Sequence, residues 1–129
     1  MKDKLEEKTN NLVDMVVSDS RWNLQDELMV QVLGLTIYGY TFGLGRLVLF
    51  MDVEEINEVA INQITKLGVG KKYAHGLIDA AFKSFTNDND QSIYSQLVDI
   101  GHSHFASEDL GICVESIFSN TEALRQAQP

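Results

Sequence analysis

The chain has 129 residues, 44% hydrophobic and 22% charged, which suits one folded domain burying roughly two-thirds of its unfolded surface and excludes a disordered tail or fibrous repeat. Nineteen acids against ten bases give a net charge of -9, which repels nucleic-acid backbones and anionic lipid and favours a basic partner. Cys113 is the single cysteine, so no disulfide closes within the chain, as suits a reducing compartment.

The opening MKDKLEEKTNN is charged and lacks the apolar core of a signal peptide, so a cytoplasmic protein is expected. A first helix is predicted from about Asp3 to Val17, with Leu5, Leu12, Met15 and Val16 as an incomplete apolar face; SDSRWN breaks it. Asn23 is then expected to cap a second helix, with Asp26 and Glu27 in its first turn and Leu24, Leu28, Val32 and Leu35 following. From Leu28 to Gly45 there are eighteen residues without a charge. That meets the bare length of a membrane span, but Gln31, Thr36, Thr41 and the interior glycines favour the central helix of a soluble bundle.

Gly39, Gly43 and Gly45 crowd the end of this segment, where close backbone packing is their expected use. The following LVLFM, within residues 46–51, reads either as a short strand or as a buried helical turn, and periodicity does not choose between them. Asp52 as cap with Glu55 three residues later makes a variant capping box for a helix from Val53 to Leu67. Ile56, Ala60, Ile64 and Leu67 mark its inner face, Lys66 suits its last turn, and Gly68 offers a left-handed stop. The next helix, about Gly70 to Phe85, should bury Ala74, Leu77, Ile78, Ala81, Phe82 and Phe85, with Lys72, His75, Asp79 and Lys83 opposite. After TNDNDQ, the residues Ile93, Leu97, Val98, Gly101 and Phe105 suggest a fifth helix. Ser107 is expected to cap a sixth carrying Leu110, Cys113, Val114, Ile117 and Phe118, with a short frayed tail beyond Asn120. The expected fold is all-α, one bundle of five or six helices over residues 1–129.

Motifs that would carry chemistry fail on spacing. A phosphate loop at LGVGKKYAHG would need glycine where Thr65 stands and a hydroxyl where Lys72 stands, so the stretch reads as one helix end and the next helix start. FGLG has Val48 in place of the third glycine of a dinucleotide fingerprint. Asp88, Asp90, Ser92 and Asp99 fall at calcium-loop positions, but Ile93 occupies the obligatory glycine. On a helix, His102 and His104 point about 200° apart and cannot share an ion; His104 is expected on a half-buried face and His102 on the wet one. Cys113 lies on an apolar stripe, and no G-x-S-x-G elbow occurs. The expectation is a protein with no catalytic residue, no cofactor and no metal.

Charge is the informative pattern. No lysine or arginine occurs between Lys83 and Arg125, while Asp88, Asp90, Asp99, Glu108, Asp109, Glu115 and Glu122 give seven acids. A second group, Asp52, Glu54, Glu55 and Glu58, opens the third helix, where Glu54 and Glu58 share a face. An uncompensated acidic surface speeds encounter with a basic protein.

The segment from GLGRLVLFMDVEEIN to LGVGKKYAHGLIDAAF resembles the small, acidic, helical immunity proteins that accompany bacterial polymorphic and contact-dependent inhibition toxins. The resemblance covers about the middle half of the chain and rests on a glycine-arginine turn, a capped helix and a glycine-lysine turn. It implies a cytosolic protein that binds one cognate toxin and blocks it, and it carries over no catalytic residue. The expected contact residues, taken from the charge pattern, are Glu54, Glu55, Glu58, Asp88, Asp90, Glu108, Asp109 and Glu115, with Tyr94 as an aromatic anchor against a basic, nuclease-like toxin. Neither nucleic acid nor membrane is expected as a partner. The alternative is a small regulatory or adaptor domain, homodimeric through Leu28 to Gly45.

Overall fold

A computed structural model describes residues 1–127. Its elements are α1 (Lys2–Val17), α2 (Glu27–Gly43), a π-helical turn (Leu44–Val48), α3 (Val53–Lys66), α4 (Lys71–Thr86), α5 (Ile93–Ser103) and α6 (Gly111–Ala127), so the fold is all-α. No strand occurs among the described residues.

The second helix, without a charge after Glu27, is the axle, touching each of the other five and packing most extensively on α5. Nearly every residue from Met29 to Gly43 is buried, which is why its apolar residues run all round instead of along one stripe. By length and composition α2 and the π-turn match a membrane-crossing helix, but most of that stretch is covered by the chain's own helices. The same burial leaves little of Leu28 to Gly45 at the surface, chiefly parts of Leu28, Gln31 and Phe42. Its buried hydroxyls are satisfied locally: Thr36 Oγ1 donates to Val32 O at 2.8 Å, and the hydroxyls of Thr9 and Thr41 meet at 3.4 Å between α1 and α2. Side chains from all six helices join one apolar cluster around this axle.

Several expected boundaries move. Asp26, not Asn23, caps α2: its carboxylate accepts from Met29 N at 3.2 Å, whereas Asn23 closes a preceding turn by accepting from Gln25 N at 3.0 Å. The physical reason is the turn closed by Asp26 N on Asn23 O at 3.0 Å, after which the extended backbone of Asp26 starts the helix afresh; Leu24, in that turn, lines a groove with Val69 and Tyr73. Asp52 has the extended backbone of a cap, but its side chain makes no cap hydrogen bond, so the box with Glu55 is not formed. An exposed carboxylate is already well solvated there, and water competes for it. Ser107 does not cap α6 either. Its hydroxyl donates to Asp109 O at 3.1 Å, Asp109 Oδ1 accepts from Gly111 N at 2.9 Å, and α6 begins at Gly111 and runs on to Ala127. The part beyond Asn120 is held because Thr121 is buried and Arg125 pairs with Asp26. In α1, Val13 takes the inner position and Met15 is exposed.

The 46–51 segment is neither strand nor ordinary helical turn. The end of α2 widens, Leu49 N donating to Leu44 O at 3.1 Å and Met51 N to Gly45 O at 2.8 Å. Glycines allow it: a Cβ on Gly43 would lie 2.8 Å from the Phe105 side chain, and one on Gly45 2.6 Å from Ile56 Cγ1. Further on, Gly68 ends α3 at φ 110°, the left-handed stop its position implies. LGVGKKYAHG accordingly joins α3 to α4.

Candidate functional site

The expected contact residues fall in several places, set by the helices that carry them. Glu54, Glu55 and Glu58 lie on the first half of α3, all exposed. Glu58 accepts from Lys2 Nζ at 2.6 Å, which lowers its carboxyl pKa and raises that of the lysine. Glu54 lines a groove of about 460 Å³ between α3 and α4 with Asn57, Ile61, Lys71 and His75.

Asp88 and Asp90 occupy the α4–α5 loop. Asp90 is drawn into the local turn, where hydrogen bonds from Ser92, including its backbone N at 2.7 Å, hold its carboxyl below the usual range. Glu108 and Asp109 sit in the α5–α6 loop, at the other end of an 11-residue helix, and therefore about 16 Å away along its axis. Glu115, on α6, is engaged by Arg21 from the α1–α2 connection at 2.7 Å. Asp19 shares that guanidinium at 2.9 Å, and its own carboxyl is pulled down to about 2 by the Arg21 side-chain and backbone hydrogen bonds. Tyr94 is half-buried, its hydroxyl bonded to the Gln31 side chain, so it stands as part of the α2–α5 contact. These nine residues do not form one patch.

What does stand out is a feature hidden in the ambiguous segment. Beyond the buried end of α2, Leu47 is 56%, Val48 47% and Phe50 81% exposed. Phe50 has φ 55°, the only non-glycine residue in the left-handed region among those described, and a conformation that a bulky side chain rarely adopts. Leu49 and Met51, between and beside these residues, are buried and pin the turn, while Arg46 Nη1 donates to Met51 O at 2.9 Å across it. A cleft of about 450 Å³ adjoins this point, with Val48, Leu44, Phe105 and Leu110 as apolar lining and Lys8 and Glu108 as charged lining. Asp52, Glu54 and Glu55 follow within five residues of Phe50, exposed and without an ion pair among the described residues. The sequence signal was there in part, since LVLFM holds more apolar residues than a turn requires, but no period told which of them face outward.

Other polar groups of chemical interest are accounted for by packing. Cys113 is fully buried, and burial pushes its thiol up to about 11, which suppresses the thiolate a nucleophile needs. His102 is not on the wet face expected for it. Its ring lies 5.3 Å from that of Phe85 and 5.4 Å from that of Phe105, inside a row of aromatic side chains that continues through Phe42 to Tyr38. The buried stripe of α5 is Leu97, Val98 and Gly101, and His102, four residues after Val98, lies at the edge of that stripe and not opposite it. No group of three or more metal-ligating side chains occurs among the described residues. Such a surface can offer apolar contact and negative potential. Comparison with known protein families, with curated proteins and with solved structures gives no match for this chain.

Proposed function

We propose that this chain is a cytoplasmic immunity protein that neutralises a cognate bacterial toxin by binding it, without catalysis of its own. The observation that supports this reading is the run of exposed acids between Lys83 and Arg125: Asp88, Asp99, Glu108 and Asp109 have no ion pair among the described residues. Such unneutralised charge accelerates encounter with a protein whose own active surface is basic, as a nuclease surface must be to hold phosphates. The resemblance of the 43–82 segment to immunity proteins points the same way.

The test is co-expression. The tagged chain is produced beside the product of the reading frame immediately upstream, and that product is also expressed alone. A stable complex, together with killing by the neighbour only when this chain is absent, is the expected result. A neighbour that neither binds nor harms cells would defeat the reading.

A further inference from the structure

We propose that Leu47, Val48 and Phe50 are the apolar anchor by which this chain grips a basic protein, with Asp52, Glu54 and Glu55 as the polar rim around it. The inference rests on the neutralisation reading for the identity of its partner, and on the structure for the surface.

The left-handed backbone of Phe50, at φ 55°, ends the widened helix as a residue in that conformation commonly does. Its side chain is what the fold does not use: the residue is 81% exposed, at a position that glycine or asparagine enters more readily. A bulky apolar residue kept in such a conformation points to a role in binding. Here the holding is explicit: Leu49 and Met51 are buried, Leu49 N bonds to Leu44 O, Met51 N to Gly45 O and Arg46 Nη1 to Met51 O. The exposed side chains are thus presented on a fixed turn, so little order remains to be lost when a partner covers them.

Charge selects the occupant. In a twofold contact between two copies, each copy would bring its own Asp52, Glu54 and Glu55 to the same patch, with -9 on either side. Anionic lipid is repelled by the same acids. A basic protein is matched: an apolar centre with an aromatic residue and a charged rim is the usual anatomy of a protein interface. Glu108, in the cleft beside Val48, extends the acidic rim, while Lys8 is the cation in that cleft.

The experiment compares wild type with Phe50→Asn, which leaves the net charge unchanged and suits the left-handed backbone. The probe is a fluorescent amphipathic helical peptide of lysine and leucine, titrated at physiological ionic strength beside a lysine-serine peptide of equal charge. The expected result is that Phe50→Asn binds the lysine-leucine peptide about tenfold or more weakly, binds the lysine-serine peptide as wild type does, and unfolds at an equal or higher temperature. Equal affinity for the lysine-leucine peptide overturns the anchor. So does a marked fall in melting temperature, Phe50-dependent self-association in sedimentation, or Phe50-dependent binding to phosphatidylserine vesicles. A toxin complex that survives Phe50→Asn overturns the anchor and leaves neutralisation standing; Phe50-dependent peptide binding with no toxin complex does the reverse.

Discussion

Gly39 of α2 lies so close to Val98 of α5 that a Cβ on the glycine would be 1.9 Å from the valine carbonyl oxygen. The contact is repeated one turn away, where a Cβ on Gly101 would be 1.8 Å from Thr36 O. Backbone cannot yield as a flexible side chain can. Gly39→Ala and Gly101→Ala should therefore each cost about 3 kcal/mol or more, read from urea unfolding. Gly76 is the control, since it sits on exposed α4 with nothing near its absent Cβ; Gly76→Ala should gain about 0.5–1 kcal/mol from helix propensity. A Gly39→Ala protein as stable as wild type would mean that the two helices are not packed this closely.

The ion pairs predict a particular acid response. Asp19 has its carboxyl pKa lowered from 3.8 to about 2, and Glu115 is lowered from 4.5, each mainly by a hydrogen bond from Arg21. A depressed folded-state pKa stabilises the fold above the unfolded value, and that stability is lost as pH falls through the folded value. Asp19→Asn should therefore be less stable than wild type at neutral pH, with the gap closing between about pH 4 and pH 2. These groups are solvent-exposed, so the gap is small. Denaturation midpoints of the two proteins over that range provide the check, and a gap that stays constant would contradict the assignment.

Cys113 should be inert in the native protein. With its side chain fully buried and its thiol at about 11, a chromogenic thiol reagent at mildly alkaline pH should react only as fast as the protein unfolds. Immediate reaction in the absence of denaturant would place the thiol at the surface.

The two loops at the ends of α5 can be separated by their effect on association. Glu108 shares the cleft with Val48, whereas Asp88 belongs to the opposite end of that helix. If the anchor is used, Glu108→Gln should slow association with a basic partner at low salt by a few-fold or more, on the order of the steering effect of a single charge. Asp88→Asn should change it much less. Stopped-flow rates for the two variants distinguish them, and the reverse order would move the interface to the α4–α5 loop.

Helices were legible where one face is apolar. Ile56, Ala60 and Ile64, and likewise Ala74, Leu77, Ile78 and Ala81, recur at helical spacing and are buried as that spacing implies. Gly68 announced its stop for the same local reason. Starts were harder to place, because Asn23, Asp26, Asp52 and Ser107 are all competent caps by residue type, and residue type alone does not choose among them. A turn from Asn23 to Asp26 holds the start of α2 back to Glu27; hydrogen bonds from Ser107 and Gly111 to Asp109 delay α6. The exposed turn was least legible. Alternation in LVLFM leaves open which side meets water, and the π-turn that decides it depends on Ile56 of α3 and, far along the chain, Phe105 closing over Gly45 and Gly43. Acids were easy to find and hard to group, since proximity in sequence put Asp88 and Glu108 together while α5 holds them apart.

Because α2 is the axle of the bundle, its cover is made late. A ribosome releases the apolar helix well before α5 and α6, so the growing chain carries Met29 to Gly43 covered only by α1, α3 and α4 until Ser103 and the residues of α6 have emerged. A chain halted before Ile93 would lack the backbone that closes on Gly39, and would leave bare the face of this apolar helix that α5 and α6 cover. The last helices to be made are thus the ones that complete the core.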